Sequence, residues 1–343
     1  MSPLSVATRS VAKSKGRSIS RLPSLSEIKR AAKVVHSVFP GTPQYTWPLL
    51  AKRLEAEVWV KHENETPIGA FKVRGGLAYL DALTQKHPHI RGVITATRGN
   101  HGQSIAFAAA RHSLSATVVV PHNNSVEKNA AMRAFGAELV VHGRDFQEAA
   151  EHMRLLAIER DLHEITSFHP WLVRGVATYA LEFFESVREL DVVYVPIGMG
   201  SGICGTIAVR DALGLRTQIV GVVSDGADAY AQSFEAGHIV TTENARTFAD
   251  GVACRVPDPD AFAMIRRGAA RVIRVSDAEI KAAMRAYFTD THKVVEGAGA
   301  VPLAAAMRER EYLRGKKIGL ILSGGNIDRD LFAEILGAHP TPL

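Results

Sequence analysis

Four short segments carry residue types at spacings that suit chemistry. The first runs Val58-Trp-Val-Lys-His-Glu-Asn-Glu-Thr-Pro-Ile-Gly-Ala-Phe-Lys-Val-Arg-Gly-Gly76 and sets Lys72 between Phe71 and Val73. A lysine among apolar residues near a helix start is partly desolvated, which favours the neutral amine. A neutral amine can form a Schiff base with a carbonyl and can later act as a base. Taken alone, a lysine snorkelling off a helix would read the same way. The second segment is Thr95-Ala-Thr-Arg-Gly-Asn-His-Gly102. It follows a strand pattern and opens a helix pattern, so its amides attract a carboxylate or phosphate. The third, Gly198-Met-Gly-Ser-Gly202, lies between a strand and a helix, where glycines let amides surround a phosphate. The fourth, Ser323-Gly-Gly-Asn326, puts a hydroxyl and a free backbone after another apolar strand.

The third segment has a second reading. Gly200-Ser-Gly-Ile-Cys-Gly205 has G-x-G-x-x-G spacing, and Asp225 lies 20 residues further on. An acid there would hold the ribose of a nicotinamide dinucleotide, as in an NAD-dependent oxidoreductase. A phosphate cup for a mononucleotide-like cofactor uses the same glycines, so the loop alone leaves both open.

These loops need a scaffold. Ser24-Leu-Ser-Glu27 has capping-box spacing and begins the ordered chain. Strands are predicted at Glu57–Lys61, Gly92–Ala96, Ala116–Pro121, Glu138–Val141, Asp191–Ile197, Gln218–Ser224 and Lys317–Leu322. Helices are predicted at His101–Arg111, Val126–Phe135, Asp145–Arg160, Trp171–Val187, Ile203–Leu213, Ser276–Thr289, Gly297–Arg308 and Asp328–Leu336. Strands alternating with helices build parallel sheets covered on both faces. Ligands in such sheets bind beyond the carboxyl ends of the strands. The loops after Ala96, Ile197 and Leu322 lie there.

Composition sets the remaining bounds. A hydrophobic fraction of 46% with 22% charged residues is ordinary for a globular chain, and 343 residues allow two domains. No apolar run approaches the ~18 residues of a membrane span. Cys204 and Cys254 alone cannot form a disulfide scaffold, which suits a reducing, cytoplasmic setting. The net charge of +6 is concentrated at the start. Residues 1–22 hold Arg9, Lys13, Lys15, Arg17 and Arg21 and no acid, so taking those five from 41 leaves 36 basic groups against 35 acidic. That balance gives no basic groove for nucleic acid. Residues 1–23 read as a disordered, Ser-rich extension with transit-peptide-like composition but no apolar core of a secretory signal.

Together the segments resemble a known family. AFKVRGG resembles the SFKxRGA motif of fold-type II pyridoxal-phosphate enzymes of the threonine dehydratase and serine racemase group. RGNHGQ, GMGSG and SGGN resemble three further motifs of that group, in the same order, from about Thr42 to Asp328. The resemblance implies an α/β, two-domain, tryptophan synthase β-like fold. The smaller, mobile domain would span approximately 80–180, with its core at Gly92–Val141, and the larger 24–79 plus 181–343. It implies pyridoxal 5'-phosphate held by Lys72, with Phe71 near the ring and Asn100 at its phenolic oxygen. Amides of Gly198, Met199, Gly200, Ser201 and Gly202 would cradle the phosphate, and Ser323 would face the ring nitrogen. Amides of Thr97, Arg98, Gly99, Asn100 and His101 would bind the substrate carboxylate. Glu296, in Glu-Gly-Ala-Gly-Ala300, resembles the group's Glu-x-x-Gly-Ala segment; as a plain helix-start acid it would have no chemical role.

The implied activity is an ammonia-lyase that converts an L-3-hydroxy amino acid of threonine or serine type to a 2-oxo acid and ammonia. A hydroxyl at the ring nitrogen leaves the ring a weak electron sink, which suits prompt loss of a β-substituent. A racemase and a β-replacement enzyme share the fold. Arg98 stands where the racemases carry a serine that serves as second base, and arginine stays protonated. Its partner would be a substrate carboxylate or side chain, or solvent. Val223 and Ala229 fall at the group's cation-ligand positions, so no metal site is expected despite Asp225 and Asp228. Gly175-Val-Ala-Thr178, between Arg174 and Tyr179, replaces the group's Gly-Gln-Gly-Thr, a departure that allows a substrate preference different from plain threonine, a bulkier one such as phenylserine included. The chain ends 15 residues after Asp328, so the regulatory domain of biosynthetic threonine dehydratases is not expected. A homodimer or homotetramer is the implied assembly.

Overall fold

The computed structural model describes residues 21–338, so residues 1–20 of the expected extension lie outside the described part. Ser24 caps the first helix, Leu25–His36, and the predicted box is present: Ser24 N–H donates to Glu27 at 2.9 Å. Ten strands follow in chain order among the described residues. They are β1 (Gln44–Thr46), β2 (Glu57–His62), β3 (Gly92–Ala96), β4 (Ser115–Val120) and β5 (Ala137–Val141). Then come β6 (His163–Glu164), β7 (Val192–Pro196), β8 (Gln218–Ser224), β9 (Arg271–Val275) and β10 (Lys317–Leu322).

They form two sheets. The larger runs β1-β2-β10-β7-β8-β9 and the smaller β5-β4-β3-β6. Every pairing is parallel except β1 with β2, which makes β1 an antiparallel edge. Every residue of β3 and β7 is buried, as expected for strands covered by helices on both faces. Helices Pro170–Ser186 and Ser201–Ala212 cover one face of the larger sheet, and Asp277–Thr291 and Gly297–Arg308 the other.

Helix Lys72–Lys86 sits between the two layers. It packs against helix Asn100–Arg111 from the smaller sheet and against Pro170–Ser186. The approach is close because Gly175 has no side chain; a Cβ there would stand 2.1 Å from the Arg74 carbonyl oxygen. The expected domain limits at 79/80 and 180/181 fall inside these two helices. Thr97, Gly198 and Ser323 follow β3, β7 and β10, so all three loops leave the carboxyl ends of parallel strands.

Candidate active site

One cleft joins the four segments. Phe71, Lys72, Thr97 to His101, Gly198 to Gly202 and Ser323 all line it. Lys72 is the first residue of its helix and its Nζ donates to Ser201 Oγ at 3.4 Å. Desolvation by burial pushes its amine from the ordinary 10.5 down to about 8, against the opposing charge of Glu296. The Phe71 ring lies 5.1 Å from the Lys72 amine and meets Tyr179 edge-on. Two residues on, Arg74 anchors the helix. Its guanidinium is fully buried and donates to Glu63 at 2.7 Å and Glu182 at 2.6 Å.

The Gly198–Gly202 loop has the form of an anion cradle. Its helix makes its first bond from Cys204 N–H to the Gly200 carbonyl, which leaves the amides before Cys204 without helical partners. Gly200 is left-handed, with φ of 96°. A Cβ on Gly198 would stand 2.2 Å from the Gly251 carbonyl oxygen. Tyr179 donates to the Gly202 carbonyl and Tyr230 to that of Met199, which fixes the loop from behind.

The second loop is arranged differently from the expectation. Thr97 N–H bonds the Val119 carbonyl, and Thr97 Oγ1 accepts from Gly99 N–H at 2.9 Å and Gly102 N–H at 3.3 Å. Two of the five amides expected for a carboxylate, those of Thr97 and Gly99, are therefore satisfied within the protein. Those of Arg98, Asn100 and His101 remain. Asn100 Nδ2 donates to Glu296 at 2.7 Å while its Oδ1 accepts from Asn326 at 2.8 Å, leaving one amide hydrogen for the cleft. Burial and the charge of Lys72 push the His101 imidazole down to about 3, so it is neutral.

Two residues that sequence reasoning missed complete the site. Lys128 reaches across from the smaller sheet and donates to Asp250 at 2.7 Å and Glu296 at 3.0 Å. Those two carboxylates raise the Lys128 amine above its ordinary value. Burial pushes the Glu296 carboxyl up, and Lys128 and Asn100 oppose this by bonding the ionised form. A Cβ on Gly99 would stand 2.3 Å from Lys128 Cδ, so that glycine is where the lysine crosses the loop. No local signal marks Lys128 or Asp250, because their partners lie 122 or more residues away.

Other expected contacts are absent from the cleft. Arg174 pairs with Glu27 at 2.9 Å, and none of residues 174–179 lines the cleft. Asp225 is exposed and also lies outside it. Asp228 pairs with Arg274 at 2.8 Å.

The residues present fit pyridoxal phosphate. A loop whose glycine hydrogens leave space for an anion, an amine inclined to be neutral beside it, and a buried serine opposite match a phosphate, an aldehyde and a ring nitrogen. Residues 37–324 match the family described as pyridoxal-phosphate dependent enzyme. The chain is 32% identical to the L-threo-3-hydroxyaspartate ammonia-lyase of Saccharomyces cerevisiae, over 92% of this chain and 97% of that one. It is 31% identical to the serine racemase of Schizosaccharomyces pombe, over 92% and 98%. Among solved structures, the processed form of threonine deaminase isoform 2 from Solanum lycopersicum superposes with a TM-score of 0.82 at 28% identity, over 92% of this chain and 95% of that one.

Proposed function

The chain belongs to the pyridoxal-phosphate dependent enzymes, and from that premise we propose an ammonia-lyase acting on an L-3-hydroxy amino acid. The products are a 2-oxo acid and ammonia: water is lost across Cα–Cβ, and hydrolysis of the resulting enamine releases the nitrogen. Bound pyridoxal phosphate supplies a carbonyl for the substrate amine and an electron sink for the charge left on Cα. Lys72 would hold the cofactor, the Gly198–Gly202 amides its phosphate, Ser323 its ring nitrogen and Asn100 its phenolic oxygen.

The remaining work falls to the chain's own groups. Lys72 Nζ, neutral near pH 8, takes the proton from Cα. The amides of Arg98, Asn100 and His101 orient the α-carboxylate at a helix N-terminus. Phe71 keeps one side of the cleft apolar.

The observation that carries elimination over racemisation is Arg98. Racemisation needs a base on each side of Cα, and the loop facing Lys72 offers a guanidinium and a neutral imidazole of very low basicity. The bodies around the two sheets would close over the substrate, with the smaller sheet as the moving part.

The test is the near-visible absorbance of the purified protein, followed on addition of L-threonine, L-serine and L-threo-3-hydroxyaspartate, with 2-oxo acid assayed in the same tube. The expected result is a cofactor band that borohydride removes, absent in Lys72→Ala, and 2-oxo acid from at least one substrate. Conversion of an L-amino acid to its D-form with no 2-oxo acid would overturn the reading.

A further inference from the structure

We propose that Arg98 is the specificity residue of this cleft and binds a second carboxylate on the substrate, so that the preferred substrate is a dicarboxylic L-3-hydroxy amino acid. The inference rests on the ammonia-lyase reading and names its substrate class.

The argument starts from charge. Three cationic side chains line the cleft: Lys72, Arg98 and Lys128. Lys128 is neutralised by Asp250 and Glu296. Lys72 is the proton-transfer group. Arg98 has no carboxylate partner among the described residues, and its Nε is buried without a hydrogen-bond acceptor. An orphaned buried donor is costly, and the usual remedy is a bound group that completes it. A guanidinium fits a carboxylate through two parallel N–H bonds.

The α-carboxylate is not that group. It has its own donors, the free amides of Asn100 and His101 at the helix N-terminus. The Arg98 side chain therefore serves a different anion.

Geometry then limits where that anion sits. Arg98, Phe146, Ser167, Met199 and Ala253 line both the cleft and a second cavity beside it. Arg98 stands at the junction of the two. Beyond it the second cavity is lined by five acids and by three more arginines, of which Arg154 pairs with Glu164 and Arg255 with Asp145. Among the cations that line that cavity only Arg98 also lines the cleft, so the carboxylate it serves lies on or next to Cβ. A neutral aromatic side chain would leave the guanidinium unsatisfied.

The test compares holoenzyme with Arg98→Ala and Arg98→Lys. Each is assayed on L-threo-3-hydroxyaspartate, L-threonine and L-serine. Binding of the non-eliminating pair L-aspartate and L-alanine is titrated by the cofactor's absorbance. The wild type is expected to favour hydroxyaspartate in kcat/KM and aspartate in Kd, each by tenfold or more. Arg98→Ala keeps the backbone amide that serves the α-carboxylate; it should lower kcat/KM for hydroxyaspartate about a hundredfold, mainly through KM, and lower the hydroxyaspartate-to-threonine ratio by about tenfold or more. Arg98→Lys should recover part of the loss, because it restores the charge without the fork. An aspartate-to-alanine preference that is absent, or unchanged in Arg98→Ala, overturns the proposal. Threonine turnover with no aspartate preference would do so while leaving the ammonia-lyase reading intact. No 2-oxo acid from any substrate would overturn that reading, and the binding ratio would still decide the role of Arg98.

Discussion

Lys72 Nζ faces Ser201 across 3.4 Å and lies 5.1 Å from the centre of the Phe71 ring, and desolvation disfavours its charged form. This makes the neutral form available near pH 8 rather than 10.5. Attack on the cofactor's carbonyl needs that neutral form, so the rate of cofactor uptake by cofactor-free protein should climb with pH and level off above about 8. Stopped-flow absorbance would read it, and a rate still climbing toward 10.5 would contradict the desolvation. The sign for Glu296→Gln follows from the same charges. The carboxylate supports the ammonium, so its loss should move the midpoint to lower pH. At this scale much was legible. The types and flanks of Lys72, Asn100 and Ser323 mark them in the sequence, whereas the occupied amides of Thr97 and Gly99 do not show there. Which acceptor an amide finds depends on where the Thr97 hydroxyl turns, and no spacing rule fixes that.

Elements place these residues by close approach. Gly198→Ala would drive a methyl into the Gly251 carbonyl, so the cradle must shift. The expected outcome is a folded protein that loses cofactor on dialysis, seen as a falling near-visible band beside unchanged circular dichroism. Gly175→Ala tests the packing of helix Pro170–Ser186 against Lys72–Lys86. Its methyl meets backbone rather than a flexible side chain, so urea unfolding should show a loss of about 1–3 kcal/mol. Helix Gly297–Arg308 and strands Gly92–Ala96 and Lys317–Leu322 were legible to the residue. Helix Pro259–Gly268 was missed despite Asp258 at its cap and Pro259 in its first turn. Strand β9 was missed because its half-buried, arginine-flanked sequence lacks the apolar run of the central strands.

At the scale of the molecule, Lys128 clasps the two sheets together. Its helix belongs to the smaller sheet, while Asp250 and Glu296 belong to the larger body. Lys128→Met removes the ammonium that opposes desolvation of the buried Glu296 carboxyl, which should lower stability by about 3–5 kcal/mol in urea unfolding. Adding Glu296→Gln should restore part of that loss, because it removes the carboxyl left without its cation. Additive losses in the double variant would argue against the clasp.

The sequence by itself determined that four loops would meet. Parallel strands joined by helices put all their carboxyl ends on one side, and the glycines and Lys72 at those ends identify the chemistry. Only the tertiary structure decided which charges are satisfied. Arg98 and Lys128 are both cations beside the same cleft, yet Lys128 has two carboxylates and Arg98 has none among the described residues. Pairing across 122 and 168 residues is set by the approach of whole layers and by the burial that approach imposes. Neither quantity is carried by local spacing.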